Sequence, residues 1–341
     1  MSTTESKQKN ASEIDLENWM FKLSDTLKIV PIIYLAIPGS HDSFTANISS
    51  KSKISPDAEP FIRNLSVLGP VVKYFIANWS RTQDFIAQEQ LKNGIRYFDL
   101  RISTKVDDED FYFVHGLYSD KVYSVFEEIK EFLKDHPGEV IILDCQHFYA
   151  FMQEDHNKLM ALITKTFGTK LLPYTQHMEA ITLKYMVANN YQIITIYRSE
   201  ALRFGQPFLW PSSSFPTPWP NTVSKENLFQ YLDNGLAHRD NNIGYISQCI
   251  LTPSNRFIFF NILSTLRQKG GIELEEDRNN WILKHKPGGN GLNIVISDFM
   301  DLTNNSFSKS IISLNSDDLY YSYTKSKNHT VVSIPKALNK F

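Results

Sequence analysis

Short apolar runs that alternate with helical patterns are the feature that most limits the folds open to this chain. The runs are rich in β-branched and aromatic residues, which is typical of buried strands. They cover residues 32–37, 95–101, 111–115, 139–145, 191–198, 244–249 and 292–298. Apolar strands separated by helices predict a parallel sheet that is buried on both faces. Seven candidates approach the eight strands of a (β/α)8 barrel, and we therefore predict a single-domain α/β barrel.

Helices are predicted between these runs, over residues 80–93, 121–134 and 155–168. Ser80 and Gln83 have the spacing of a capping box for the first helix, and Asp155 is the predicted N-cap of the third. Two long stretches, 48–79 and 202–235, interrupt the alternation. Inserts of this length often form lids over a site.

The two ends of the chain are more polar and less patterned than the middle. We predict a flexible N-terminal tail over residues 1–17, the barrel over 18–315, and a C-terminal appendage over 316–341. The 341 residues carry a formal net charge of −2. This balance gives no broad electrostatic reason to bind nucleic acid, so any anionic ligand must be held by a local site.

Cysteine content and hydropathy set expectations about the compartment. Cys145 and Cys249 are the two cysteines, which is too few for a disulfide framework and favours a reducing compartment. The polar N-terminus lacks a signal-peptide pattern, and no apolar stretch reaches the ~18 residues of a membrane span. We therefore predict a cytoplasmic protein that contacts membranes only peripherally.

Polar residues fall at the C-terminal ends of the predicted strands. These residues are Ser40, His41 and Asp42, then Asp99 and Arg101, then His115, then Asp144, Gln146 and His147, then Arg198, and last Asp298. In a closed parallel barrel these ends meet on one face, which is where barrel enzymes keep their active sites. We therefore expect two histidines, several carboxylates and one arginine to converge.

This set of residue types suits general acid–base cleavage of a phosphodiester. One neutral histidine would take a proton from the attacking hydroxyl, and a second, protonated histidine would give one to the leaving oxygen. The arginine would stabilise the charge on the phosphoryl group. The spacing of Asp99 and Arg101, two apart on one strand, places both on the same face.

Four motifs carry a resemblance to a known family. The sequences "IPGSHDSF", "GIRYFDLRIS", "FVHGLYS" and "EVIILDCQHFY" resemble the X domain of phosphatidylinositol-specific phospholipase C, and most closely its small eukaryotic members that contain only this domain. The resemblance runs from about residue 18 to about residue 315. It implies a distorted barrel that cleaves the phosphodiester of phosphatidylinositol, or of a related inositol phospholipid, to diacylglycerol and a cyclic or open inositol phosphate.

The resemblance also implies roles for the residues of the site. His41 would be the general base on the inositol 2-hydroxyl, and His115 the general acid for the diacylglycerol oxygen. Asp42 would assist at the leaving group, and Asp99 would orient the site. Arg101 would contact the phosphate. Asp298 would hold the tautomer of His41 and raise its basicity.

The metal requirement is predicted from departures from the calcium-dependent family pattern. Asp42 stands where those members have Asn, Arg101 replaces an acid, and Cys145 stands where another ligand Glu would align. A guanidinium within the site repels a divalent ion and can supply its charge. We therefore predict no cofactor and no catalytic calcium. The open alternative is a metal-dependent phosphodiesterase with His41, Asp42 and Asp99 as ligands.

The contacts to the inositol ring are less defined, because Gln146 stands where metal-independent bacterial members are expected to have a lysine. Arg198, Lys184 and His147 are the candidates for these contacts. An inositol phospholipid is the expected partner in every version of this hypothesis. A further alternative is a barrel that binds phosphoinositides or other lipids and catalyses little or nothing.

The aromatic and proline-rich stretch over residues 204–220 permits two interpretations. Its rings, those of Phe208, Trp210, Phe215 and Trp219, could enter a lipid interface, or they could pack as a lid against the barrel. Large aromatic side chains are more often buried than exposed, so we favour the packed lid.

Overall fold

The structure of the chain is a computed structural model that describes residues 14–60 and 69–328. The strands are β1 (Ile37–Ser40), β2 (Tyr97–Lys105), β3 (Asp108–His115), β4 (Leu117–Lys121), β5 (Ile141–Tyr149), β6 (Ile193–Tyr197), β7 (Leu209–Trp210), β8 (Ile246–Gln248) and β9 (Ile294–Ser297). The α-helices with described bounds are α1 (Trp19–Lys22), α2 (Pro70–Ser80), α3 (Ala87–Lys92), α4 (Val122–Asp135), α5 (Gln153–Phe167), α6 (Leu183–Ala188), α7 (Glu200–Arg203), α8 (Lys225–His238), α9 (Asn255–Phe260), α10 (Glu273–Lys284), α11 (Leu302–Ser313) and α12 (Asp317–Asn328).

Seven of the strands form one curled parallel sheet in the order β7-β6-β5-β2-β1-β9-β8. The two outer strands of this path are connected through residues 214–216. The Gly244 amide donates to the Ser214 carbonyl at 2.9 Å, and the Ile246 amide donates to the Pro216 carbonyl at 3.0 Å. The curl with its surrounding helices confirms the predicted distorted α/β barrel.

The packing of the core explains why the sequences of the strands are nearly continuous apolar runs. Alternate residues point to opposite faces of a strand, and both faces of this sheet are covered. Ile142 packs with an inner cluster inside the curl. Its neighbours Ile141 and Leu143 pack outward with a second cluster, which includes Phe126 and Ile129 of α4.

The hairpin of β3 and β4 corrects the prediction that residues 111–115 form a strand of the barrel. Strand β3 pairs antiparallel with β2, and β4 pairs antiparallel with β3. Only Val106 and Asp107 separate β2 from β3, and Asp107 has a left-handed backbone with φ 63°. Parallel neighbours need a crossover connection of about a dozen residues or more, so a turn this short forces a hairpin.

The first predicted strand, 32–37, is also wrong over most of its length. Residues Ile32–Tyr34 form a 3-10 helix, and β1 begins at Ile37. Ile32, Ile33 and Leu35 are fully buried in the inner cluster, where they cover the N-terminal end of the barrel. A short apolar run is compatible with either structure, and periodicity alone does not separate them.

The predicted bounds of the helices agree best with the structure where the apolar pattern is longest. Helix α4 matches the prediction to within one residue. The region 80–93 divides instead: Ser80 ends α2, and α3 begins after Ile86, whose amide donates to the Glu89 side chain. Asp155 lies in the first turn of α5 and accepts from the amide of the N-cap residue Met152.

The stretch 204–220 packs largely against the barrel. Trp210 and Phe215 are fully buried, and Phe208 is partly buried. Trp219 is about half exposed, with its indole N–H donating to the Thr252 hydroxyl at 2.9 Å. Most of these rings are packed, as predicted, but Trp210 and Phe215 belong to the barrel wall and not to a lid over it. No helix in the described part of the chain is long and apolar enough to cross a membrane.

The predicted tail and appendage lie partly outside the described residues, namely at 1–13 and 329–341. The portions that are described contact the barrel. The Glu17 carbonyl accepts from Arg96, and Asp317 accepts from the hydroxyls of Ser24 and Thr26. Leu319 is buried in the inner cluster. The domain boundaries stay predictions.

Candidate active site

The C-terminal ends of three adjacent strands carry most of the candidate site. Strand β1 lies between β2 and β9 in the sheet, and Ser40 at its end is in register with Phe98 and with Ser297. His41 and Asp42 follow β1, Asp99 and Arg101 lie on β2, and Asp298 follows β9. The parallel register therefore brings together side chains that are distant along the chain.

His41 is the centre of this group and is almost fully buried. Its Nδ1 lies 2.8 Å from Asp298 Oδ1, so the carboxylate accepts the Nδ1 proton. Its Nε2 lies 3.1 Å from Arg101 Nη2 and 3.5 Å from Asp42 Oδ2. Burial lowers the pKa of His41, but the charges of Asp42 and Asp298 outweigh this and raise the pKa to about 9.

Asp42 connects the two histidines. Its Oδ2 lies 3.5 Å from His41 Nε2 and 3.3 Å from His115 Nε2, while its Oδ1 contacts Arg101 Nε. Burial raises the pKa of Asp42, but the adjacent Arg101 and the two imidazoles lower it overall, so the group is a carboxylate. The backbone of Asp42 is left-handed, with φ 40°, a strained conformation that is held by the surrounding contacts.

Arg101 supplies the positive charge of the site. Its Nη2 lies 3.6 Å from Asp99 Oδ2, in addition to its contacts with His41 and Asp42. Burial lowers the pKa of Arg101, but Asp42 and Asp99 raise it well above its ordinary value, so the guanidinium stays charged. A charged, partly exposed guanidinium with fixed orientation is suited to hold a phosphate.

His115 reaches the site from the end of β3, outside the barrel strands. Its Nδ1 lies 2.7 Å from the Ser80 carbonyl, which can only accept, so Nδ1 carries a proton. Its Nε2 faces Asp42. The two imidazoles therefore present their Nε2 atoms to one carboxylate oxygen, with Arg101 beside them.

Gln83 is a residue of the site that sequence reasoning placed elsewhere, as a capping residue. Its buried side-chain amide donates to the carbonyl of His41 at 2.8 Å and to that of Ser297 at 3.0 Å. It thus connects the ends of β1 and β9, next to His41 and Asp298 in the sequence. No local pattern marks this role, because both partners are backbone carbonyls that any sequence supplies.

Of the three candidate ring-contact residues, Arg198 and His147 lie near the site. Arg198 makes a bidentate contact with the buried Asp144, at 2.8 and 2.7 Å, and also donates to the Phe215 carbonyl. His147 is in register with Arg101 on the adjacent strand. Burial and the nearby Arg101 lower the pKa of His147.

Lys184 is not brought to the site. It is exposed on α6, which packs against residues 27–29, and the preceding Thr182 pairs with Pro31. These segments precede β1, so Lys184 lies at the N-terminal end of the barrel, away from His41. The helix that carries it could not be positioned from sequence.

A cavity of about 310 Å³ opens beside the two histidines, and both polar and apolar side chains line it. His41, Arg101, His115 and Asp298 are among the polar ones. The apolar ones include Phe75, Ile76 and Trp79 from α2, and Ile258, Ile262 and Leu266 from α9 and the residues after it. Charged and apolar side chains therefore line the same cavity.

Sequence comparison gives the family. Human PI-PLC X domain-containing protein 3 is 39% identical over 308 residues, covering 89% of this chain and 95% of the relative. This chain belongs to the PI-PLC X domain-containing protein family. The mouse PI-PLC X domain-containing protein 2 is 40% identical over 311 residues, or 90% of each chain. The profile described as "Phosphatidylinositol-specific phospholipase C, X domain" matches residues 72–193.

Solved structures share the fold of this X-domain protein. The phosphatidylinositol-specific phospholipase C of Listeria monocytogenes matches with a TM-score of 0.57 at 19% identity, covering 89% of this chain and all of the other. A variant of the Staphylococcus aureus enzyme matches with a TM-score of 0.61 at 16% identity, covering 88% and 97%. At these identities the likeness concerns the fold alone.

The donor atoms of this X-domain protein fit calcium poorly. His41, Asp42 and Asp99 each offer one atom within 4.8 Å of the others, which is a geometry that could hold an ion. Calcium, however, takes six to eight oxygen ligands, and one of these three donors is an imidazole nitrogen. Arg101 already contacts all three residues, and its charge opposes a cation at the same place.

Proposed function

We propose that this chain is a phosphodiesterase of the phospholipase C type, which cleaves phosphatidylinositol or a related inositol phospholipid. The observation that carries the proposal is the placement of one carboxylate, Asp42, between the Nε2 atoms of His41 and His115, with the Arg101 guanidinium beside them. This arrangement offers a base, an acid and a fixed positive charge around a space that a phosphate fits.

In the proposed first half of the step, His41 Nε2 takes the proton of the inositol 2-hydroxyl as that oxygen attacks phosphorus. Asp298 holds the ring through Nδ1 and stabilises the imidazolium that forms. Arg101 donates toward the same Nε2, a contact that only a neutral ring accepts, and so offsets part of the effect of the carboxylates. The base form of His41 therefore grows as the pH rises toward about 9.

In the second half, the bond from phosphorus to the diacylglycerol oxygen breaks, and His115 Nε2 gives that oxygen its proton. The Ser80 carbonyl keeps Nδ1 protonated, so Nε2 is the nitrogen directed at the site. Arg101 balances the phosphoryl charge throughout. The products are diacylglycerol and a cyclic inositol phosphate. Arg198 and His147 are the proposed contacts of the inositol ring.

The proposal includes peripheral contact with a membrane, because the substrate is a lipid and the cavity opens among exposed apolar side chains. On α9 and just after it, Phe259, Phe260 and Leu263 are 64%, 71% and 85% exposed. Their neighbours Ile258 and Ile262 line the cavity. The apolar surface therefore continues from the cavity wall to the outside, which is the arrangement that a lipid entering from a bilayer needs.

Two further parts of the proposal concern the metal and the compartment. We propose that Arg101 replaces a catalytic ion, because it occupies the donor atoms that an ion would need. We also propose a cytoplasmic location. The buried cysteines Cys145 and Cys249 are both unpaired, which agrees with a reducing compartment.

The test is incubation of the purified protein with phosphatidylinositol vesicles, with and without EDTA, and detection of headgroup release by phosphorus NMR. We expect cyclic inositol phosphate in both conditions. His41→Ala and His115→Ala should each lower turnover by about 10²-fold or more, in proteins that circular dichroism shows to be folded at the assay temperature. Vesicle binding without any product would favour a lipid-binding barrel, and activity that needs added calcium would favour the metal-dependent alternative.

A further inference from the structure

His115 is the one histidine of the pair whose position the barrel does not fix. It ends a hairpin strand that is antiparallel to β2, and the pairing of β3 with β4 shifts register between Tyr112 and Val114. His41, in contrast, directly follows a strand that is paired on both sides. The Ser80 carbonyl holds one end of the imidazole, at Nδ1, so the direction of the side chain depends on further contacts at the end of β3.

The insert over residues 48–79 binds both polar groups of the backbone of the next residue, Gly116. The Gly116 amide donates to Asp57 Oδ2 at 2.6 Å, and the Gly116 carbonyl accepts from the Ser55 amide at 3.2 Å. Gly116 is left-handed, with φ 69°, so the chain reverses immediately after His115. The direction of the His115 side chain depends on this turn.

Asp57 is itself held in place. Its second oxygen accepts from the hydroxyl of Ser55, which is buried, and residues 53–55 pair with the beginning of β4. Asp57 also lines the cavity together with His115 and Gly116. A carboxylate that accepts from a backbone amide makes a strong, charge-assisted hydrogen bond.

We propose that Asp57 is a positioning residue for the general acid His115, acting through the amide of Gly116. The inference rests on the proposed function, because it assigns Asp57 to one half of that reaction. Asp57 contacts neither proton that moves. Its hydrogen bond fixes the turn, and the turn keeps His115 Nε2 within reach of the leaving oxygen.

A comparison of leaving groups tests this role. Phosphatidylinositol needs a proton on the departing alkoxide, whereas an inositol phosphodiester with a 4-nitrophenyl leaving group releases a stable phenolate without one. We expect Asp57→Ala to lower kcat on phosphatidylinositol by about 10²-fold, the scale of a 1 Å misplacement. On the 4-nitrophenyl substrate the loss should stay below about threefold by the same argument.

Three variants serve as controls. Asp57→Asn keeps an oxygen for the Gly116 amide and should retain most activity. Ser55→Ala removes the hydroxyl that donates to the Asp57 carboxylate. It should lower kcat on phosphatidylinositol less than Asp57→Ala does, and again more than on the 4-nitrophenyl substrate. Asp120→Ala breaks a different contact of the hairpin, with Asn47 just before the insert, and should behave as the wild type.

The results separate this inference from the proposed function. A wild-type protein that cleaves neither substrate overturns both. A wild-type protein that cleaves both substrates, with Asp57→Ala and Ser55→Ala each reducing the two rates equally or not at all, overturns only the role of Asp57. An Asp57→Asn protein as impaired as Asp57→Ala would also overturn it, because the hydrogen bond to Gly116 would then not be the relevant contact.

Discussion

At the scale of single residues, the contacts of His41 with Asp42 and Asp298 make stability depend on pH. The folded pKa of His41, about 9, lies above its ordinary value of 6.5. The stabilisation that comes from the protonated ring is therefore complete below about pH 6.5 and is lost as the pH rises through about 9. We expect the free energy of unfolding to fall over this range, and Asp298→Asn to make the fall shallower.

Urea denaturation between pH 6 and pH 9.5 measures both slopes. Asp301→Asn is the matched control, because Asp301 pairs with Arg267 and not with His41. Identical slopes for wild type and Asp298→Asn would contradict the assignment of the raised pKa.

At the scale of elements, the helix α9 and the residues after it form the proposed contact with lipid. Phe259 and Leu263 are both largely exposed beside the cavity. Insertion of each side chain contributes on the order of 1.5–3 kcal/mol, so we expect Phe259→Ser/Leu263→Ser to weaken binding to phosphatidylcholine vesicles by at least about tenfold. Cosedimentation gives the partition coefficient. Tyr321→Ser removes a side chain that is also exposed, on α12 at the other end of the barrel, and should leave binding unchanged. Equal binding by all three proteins would exclude α9 as the contact.

The elements that carry the site residues also explain which of these residues could be predicted from the sequence. His41, Asp99, Arg101 and Asp298 could be placed together because each was predicted at or near the C-terminal end of a strand, and these ends meet on one face of a parallel barrel. Strand β2 in fact continues beyond Arg101 to Lys105, into the hairpin. His115 was expected in the same place for the wrong reason, since it arrives on a hairpin and not on a barrel strand. Asp57 lies in an insert whose path no pattern predicts, so its contact with the hairpin could be found only in the structure.

At the scale of the whole molecule, one end of the barrel carries the candidate active site and the other contributes to stability. The histidines lie at the C-terminal ends of the strands, while α12 packs at the opposite end, where Asp317 binds Ser24 and Thr26. Leu319 of α12 is 5% exposed and belongs to the inner cluster.

Leu319→Ala should therefore lower the free energy of unfolding by about 2–3 kcal/mol and leave kcat unchanged at temperatures where the protein is folded. Chemical denaturation and the phosphatidylinositol assay measure the two quantities. The exposed neighbour Tyr321→Ser should change stability by less than about 0.5 kcal/mol. A loss of kcat in a fully folded Leu319→Ala protein would contradict this separation.

The guanidinium of Arg101 has a consequence for regulation. Under the proposed mechanism, the positive charge at the phosphate is part of the polypeptide, and its pKa is raised further by Asp42 and Asp99. A rise or fall in free calcium would then neither start nor stop the reaction. The rate would instead follow how often the protein meets a bilayer that contains its substrate, so that a cell would govern it by changing where the protein is or what the bilayer holds.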